Sequence, residues 1–117
     1  MEEINTEKIK TQMRKGILEM CILSVIDKSK EAYVSDLIET MKNADMIVVE
    51  VTGYPLLTRL KNSGLLDYQW KESSAGPPRK YYVLTYSGKL FLSETLKAWR
   101  ELQTMIDTIS SMSTRAL

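Results

Sequence analysis

The stretch from Thr85 to Ser113 carries an apolar stripe too long for a small chain to cover by itself. Leu92, Trp99, Leu102, Ile106 and Ile109 recur at helical spacing with Thr95 in the one polar position, and Phe91, Leu96, Met105 and Met112 widen the stripe. A continuous helix here is roughly 40 Å long at ~1.5 Å per residue, whereas a domain of this size has a radius of gyration near ~13 Å. Much of the helix must leave the domain, and its stripe calls for a second copy of the chain. The sequence therefore predicts a dimerisation helix over 85–113, with Leu92, Leu96, Trp99, Leu102, Ile106 and Ile109 at the interface.

The rest, residues 6–84, reads as one small domain. Thr6 to Ile26 is a first helix with two apolar faces: Ile9, Met13, Ile17, Met20 and Ser24 on one, Leu18, Ile22 and Val25 on the other. After the polar break Lys28-Ser29-Lys30-Glu31, the spacing of Val34, Leu37, Ile38 and Met41 predicts a short second helix. Met46 to Val51 is β-branched enough for an extended piece. A third helix then starts at Thr52 as its N-cap, buries Leu56, Leu57 and Leu60, and stops at Gly64. Pro55 falls in its first turn, where the amide it removes has no helical partner. Leu66–Trp70 and Lys80–Leu84 alternate as two strands of a hairpin, joined by a loop from Ser73 to Pro78.

Composition removes most chemistry. The chain has 117 residues, no histidine and one cysteine, so neither a histidine-bearing triad nor a Cys/His zinc site is available within one copy. An internal disulfide is ruled out, which suits a reducing cytoplasm. Cys21, inside an apolar helix, reads as inert core. The acidic N-terminus lacks the pattern of a secretory signal, and the longest apolar stretch, Ile17 to Ile26, falls short of the ~20 residues that span a bilayer. No enzyme, metal, cofactor or membrane association is expected. The formal charge of +1 hides an asymmetry. Lys8, Lys10, Arg14 and Lys15 cluster without an acid, and Arg59, Lys61, Lys71, Arg79 and Lys80 outnumber Asp67 and Glu72. Asp36, Glu39, Asp45 and Glu50 against Lys42 make the intervening segment acidic.

Three short helices followed by a hairpin is the winged helix-turn-helix order, so the fold class is mainly α with a small β-hairpin wing. Within that order, Tyr54-Pro55-Leu56-Leu57-Thr58-Arg59-Leu60-Lys61-Asn62-Ser63-Gly64-Leu65-Leu66 resembles the third helix of the PadR family of bacterial transcriptional regulators. Ser74-Ala75-Gly76-Pro77-Pro78-Arg79-Lys80-Tyr81-Tyr82, with Leu84-Thr85 and Gly88, is similar to the family's wing and the start of its last helix. Gly16-Ile17-Leu18-Glu19 and Ile22-Leu23 match its first helix. The likeness spans about Gln12 to Trp99 and is nearest to the short, multidrug-sensing branch. Two positions depart from it: Gly53 replaces a usual Leu or Ile, and Val49-Glu50-Val51 stands where a Ser or Thr cap is common.

The resemblance implies a homodimeric repressor on an inverted-repeat operator in double-stranded DNA. The DNA-contact candidates are Thr52, Tyr54, Pro55, Thr58, Arg59, Lys61, Arg79 and Lys80, with Thr52 read as a cap before a reader and Tyr54 equally a packing residue. Tyr68, Tyr81 and Tyr82 read as strand-face packing. In the branch it resembles, a tryptophan at the place of Trp99 flanks a pocket for flat aromatic effectors; here Met13, Ile17, Met20, Trp99 and Gln103 are the candidates. Met13 and Met20 read as plain core residues before ligand contacts, and Trp99 equally suits a dimer-core role. Gln103, where that branch can carry an acid, gives no support to selection of cationic compounds. The competing reading is a dimeric winged-helix module that binds a protein partner and no DNA.

Overall fold

The computed structural model describes residues 4–46, 50–74 and 76–112, without the side chains of 50–52. Helix α1 (Glu7–Ser29) runs one turn further than its apolar pattern suggests and ends at Lys30, whose φ of 67° turns the chain in the left-handed region. Strand β1 (Ala32–Tyr33) leads directly into α2 (Val34–Asn43), and α3 spans Glu50–Asn62. The wing is β2 (Leu66–Ser73) and β3 (Gly76–Leu84), and α4 (Tyr86–Ser110) closes the described chain. It is a winged-helix fold with a long terminal helix.

The core forms where the three short helices meet the inner face of the sheet. Ile22, Leu23 and Ile26 of α1, Leu37 and Met41 of α2, Leu57 and Leu60 of α3 and Leu66 of β2 are each 3% exposed or less. Val34, Leu37 and Met41 bury as their spacing predicts, and Leu56, Leu57 and Leu60 turn α3 inward. Tyr82 seals the sheet side.

Four expectations need correction. First, the sheet has three strands in the order β1-β3-β2, with Ala32 opposite Tyr82 and Tyr33 opposite Tyr81. A two-residue strand is too short to show alternation. Second, α3 starts at Glu50, so Thr52 lies within the helix rather than at its cap, and Pro55 sits in the second turn. Residues 47–49 of the expected extended piece, and the Thr52 side chain, lie outside the described part. The β-branched residues before Thr52 do not prevent the helix from reaching Glu50, because their preference for strands depends on a sheet to join. Third, the loop from Ser73 to Pro78 is mostly strand: Ser73 pairs with Gly76, and Pro77 and Pro78 belong to β3. Pro77 and Pro78 lie opposite an irregularity between Lys71 and Ser73, where a missing N–H is tolerated. Fourth, Leu92 is 5% exposed and belongs to the protomer's own core, so it is withdrawn from any dimer face.

One joint fixes α4 to the head. Gly64, at φ +80°, ends the descent from α3. The Thr85 amide donates to the Leu65 carbonyl (3.1 Å), and the Thr85 hydroxyl donates to the Gly64 carbonyl (2.6 Å). The same hydroxyl oxygen accepts from the Gly88 amide (3.0 Å), capping α4. Gly88 is pressed against Leu65: a methyl group there would run into the Leu65 carbonyl oxygen and lie 3.0 Å from its carbon. Beyond the joint α4 leaves the body. The molecule measures 64 × 38 × 21 Å, with a radius of gyration of 17.8 Å. A compact chain of this length has about 13 Å.

This contact separates two glycines that sequence treats alike. Gly88→Ala is expected to destabilise the fold by about 2–4 kcal/mol through backbone overpacking. Gly16→Ala, inside α1 with nothing within 4 Å of the new methyl group, is expected to stabilise by up to about 1 kcal/mol. Thermal denaturation of both variants at one protein concentration checks the opposite signs.

Candidate nucleic-acid interface

The exposed side of α3 presents Tyr54, Pro55, Thr58, Arg59 and Lys61, because Leu56, Leu57 and Leu60 take the inward positions of the same helix. These side chains do not all face outward alone. Arg59 pairs with Glu19 of α1. Lys61 leans over the ring of Tyr68, with Nζ 5.6 Å from its centroid. Gly53, the departure from the family pattern, is buried within α3, so at that point the backbone itself packs inward.

On the wing, pairing register decides which side chains meet. Trp70 lies opposite Lys80 and Tyr68 opposite Tyr82, so all four share one face. Lys80 Nζ sits 4.2 Å from the Tyr68 centroid and 5.4 Å from that of Trp70. Tyr68 meets Trp70 edge-on at 6.3 Å and 86°. On the opposite face Arg79 stacks 4.8 Å from the Tyr33 ring, while Lys71 bonds Glu31 at 2.5 Å. The wing cations thus divide. Lys71 is neutralised by a carboxylate; Arg79 and Lys80 make no ion pair among the described residues and rest on aromatic rings.

Tyr68, Tyr81 and Tyr82 are packing residues, as their alternation suggests, and Tyr82 is the most deeply buried. Burial, then Tyr68 and Tyr54, push its hydroxyl above the ordinary tyrosine range, so it stays neutral at physiological pH. Burial likewise raises the Cys21 thiol, which lowers its thiolate fraction.

A second feature lies where α1 meets α4. Ile17, Glu19 and Met20 face Phe91, Thr95, Trp99 and Leu102 across a groove of about 280 Å³. Of the effector candidates, Ile17, Met20 and Trp99 come together; Met13 and Gln103 are exposed and do not line it. Further along α4, Leu102, Ile106 and Ile109 are exposed over about half of their surface or more, with Met105 and Met112 beside them. Leu96 packs partly on the core.

Sequence reading overlooked Tyr33, Trp70 and Glu19. The first two needed the strand register, and Glu19 needed its ion pair with Arg59 of α3.

Comparisons place this geometry among known proteins. The sequence pattern of the transcriptional regulator PadR-like family matches residues 22–94. The chain is similar to a PadR-like transcription factor from Bacteroides fragilis at 53% identity, covering 88% of this chain and 99% of that one, with a TM-score of 0.74. A PadR-like transcriptional regulator from Bacillus cereus is 36% identical over 87% of this chain and 99% of its own, with a TM-score of 0.75. A PadR family regulator from Eggerthella lenta superposes with a TM-score of 0.84 at 28% identity, covering 92% and 94%.

Proposed function

The chain belongs to the PadR-like family of transcriptional regulators, and from that premise we propose that it is a repressor that binds double-stranded DNA as a homodimer. The observation that carries this reading is that Tyr54 of the exposed α3 face borders one hollow with Arg79 and Lys80, two cations with no carboxylate partner among the described residues. Two copies related by a two-fold axis read an inverted repeat. Each α3 enters a major groove with Thr58 nearest the bases, and each wing lies on the neighbouring backbone. Arg59 reaches DNA by exchanging Glu19 for a phosphate. That exchange costs little, because an exposed ion pair is worth at most about 1 kcal/mol. The protein acts in the cytoplasm, where its operator is.

The second copy covers the free end of α4. Leu102, Ile106 and Ile109 leave the body of the protomer on one stripe, and burying them against a partner supplies the association energy. The groove between α1 and α4 suits a flat aromatic effector, enclosed by Ile17, Met20, Phe91 and Trp99. Such an effector releases DNA only by favouring the spacing of heads that fits the operator less well.

Three measurements test these statements. The double variant Arg79→Ala/Lys80→Ala is expected to weaken duplex binding and to lower the slope of log affinity against log salt by about four, two for each copy in the dimer. An unchanged slope removes the wing from the interface and favours the protein-interaction reading. Ile106→Glu is expected to shift the protein from dimer to monomer in sedimentation velocity; a dimer that persists at micromolar concentration rejects the α4 interface. In a Trp70→Phe background, planar aromatic compounds are expected to quench Trp99 emission, and a panel that leaves it unchanged removes the effector site.

A further inference from the structure

Between the wing and α3 lies a hollow of about 240 Å³, bounded by Tyr33, Tyr54, Trp70, Pro78, Arg79 and Lys80. Its composition is unlike the rest of the surface. Trp70 is 63% exposed and Tyr54 is 48% exposed, although both rings are large enough to repay burial. The Trp70 ring is held by the edge of Tyr68 on its own strand and by Lys80 across the pair. Arg79 is held over Tyr33, and Lys80 over three rings in turn. The two cations that line it have no carboxylate partner among the described residues, whereas Lys71 of the wing and Arg59 of α3 each have one. A pocket with two oriented, unneutralised cations beside an exposed aromatic surface fits an anion joined to an apolar body.

The DNA-binding reading, on which this inference rests, says which anion. When a helix occupies the major groove and a wing lies over the adjacent minor groove, the phosphate strand dividing the two grooves crosses the gap between helix and wing. That gap is the hollow. We infer that it seats one sugar–phosphate unit of duplex DNA, with Arg79 and Lys80 on the phosphate and the Trp70 indole packed on the deoxyribose. Tyr54 closes the seat from the α3 side. The sugar is the partner because the base faces of a duplex are covered by their stacked neighbours, leaving the deoxyribose as the apolar surface beside each phosphate. Trp70 thereby becomes a binding residue that reads no sequence, and it acts equally on operator and non-operator DNA.

The test uses the full chain and a mixed-sequence duplex of about three helical turns at low ionic strength, where backbone contacts dominate binding. Because the chain has two tryptophans, Trp99→Phe leaves Trp70 as the sole fluorophore. Anisotropy of labelled DNA reports binding, and acrylamide quenching reports access to Trp70. The expected result is several-fold protection of Trp70 as the anisotropy saturates. In the otherwise unaltered protein, Trp70→Ala is expected to weaken binding about tenfold at every salt concentration, leaving the salt slope unchanged. Lys80→Ala is expected to lower that slope by about two, one for each copy in the dimer. Trp70 is exposed, so its variants should melt like the parent, and Lys80 keeps the Tyr68 and Tyr82 rings beneath it in Trp70→Ala. Saturating anisotropy with Trp70 as accessible as before, together with parental affinity for Trp70→Ala, overturns the seat and leaves the DNA-binding reading intact. Stronger quenching of Trp70 by single strands than by duplex also overturns it, because base stacking is then the better explanation. Absence of any anisotropy change on duplex rejects both.

Discussion

The two ends of the molecule communicate through a contact between a carbonyl oxygen and a glycine. Leu65 follows α3 and opens the wing, Gly88 opens α4, and the backbones approach so closely there that no side chain fits between them. Thr85 ties the same place with one amide and one hydroxyl, the latter both donating to Gly64 and capping the helix. Three elements therefore share one joint, and α4 cannot tilt without carrying α3 and the wing. Across 25 residues, about 37 Å of helix, each degree of tilt moves the far end by about 0.6 Å. In the dimer we propose, small changes where α1 and α4 enclose the groove alter the distance between the two reading heads.

Much of this was legible in the sequence, for identifiable reasons. Val34, Leu37 and Met41 of α2 and the three leucines of α3 follow a period that only one face satisfies, and each buries as the pattern demands, with Ile38 partly buried beside them. Gly64 and Thr85 mark helix boundaries by local chemistry alone, so they were readable without a fold. What escaped depended on contacts between distant segments. The start of α3 was misread because β-branched residues imply a strand only when a sheet is there to pair with. Ala32 and Tyr33 make a strand solely because β3 comes alongside. Leu92 repeats with the rest of the α4 stripe, and periodicity does not say where a helix stops touching its own domain. Trp70 is a similar case: its neighbour across the ladder follows from a strand pairing that the prolines disguised as a loop.

Electrostatics sort the basic residues in a way that the overall charge of +1 conceals. Glu19 and Glu31, both from or next to α1, neutralise Arg59 and Lys71 at the margins of the α3–wing surface. Arg79 and Lys80 lie on tyrosine and tryptophan rings instead. A ring orients a cation without competing strongly for it, because an exposed cation–π contact contributes only about 0.5–1 kcal/mol. The fold thereby keeps a few charges positioned yet available, which a simple count of lysines and arginines does not show.

The outer edge of β3 carries a last consequence. Strand β1 pairs only with Tyr81 and Tyr82, so residues 76–80 have no neighbouring strand on that side among the described residues. An open strand edge is a template on which other chains can add, and proteins that must leave one bare need protection against aggregation. Here the protection is written into the strand. Pro77 and Pro78 offer no N–H to an incoming ladder, and Arg79 and Lys80 place two like charges where such a strand would extend. The residues that shape the hairpin also keep it single, allowing an exposed β-ribbon to persist in solution without recruiting another copy of itself.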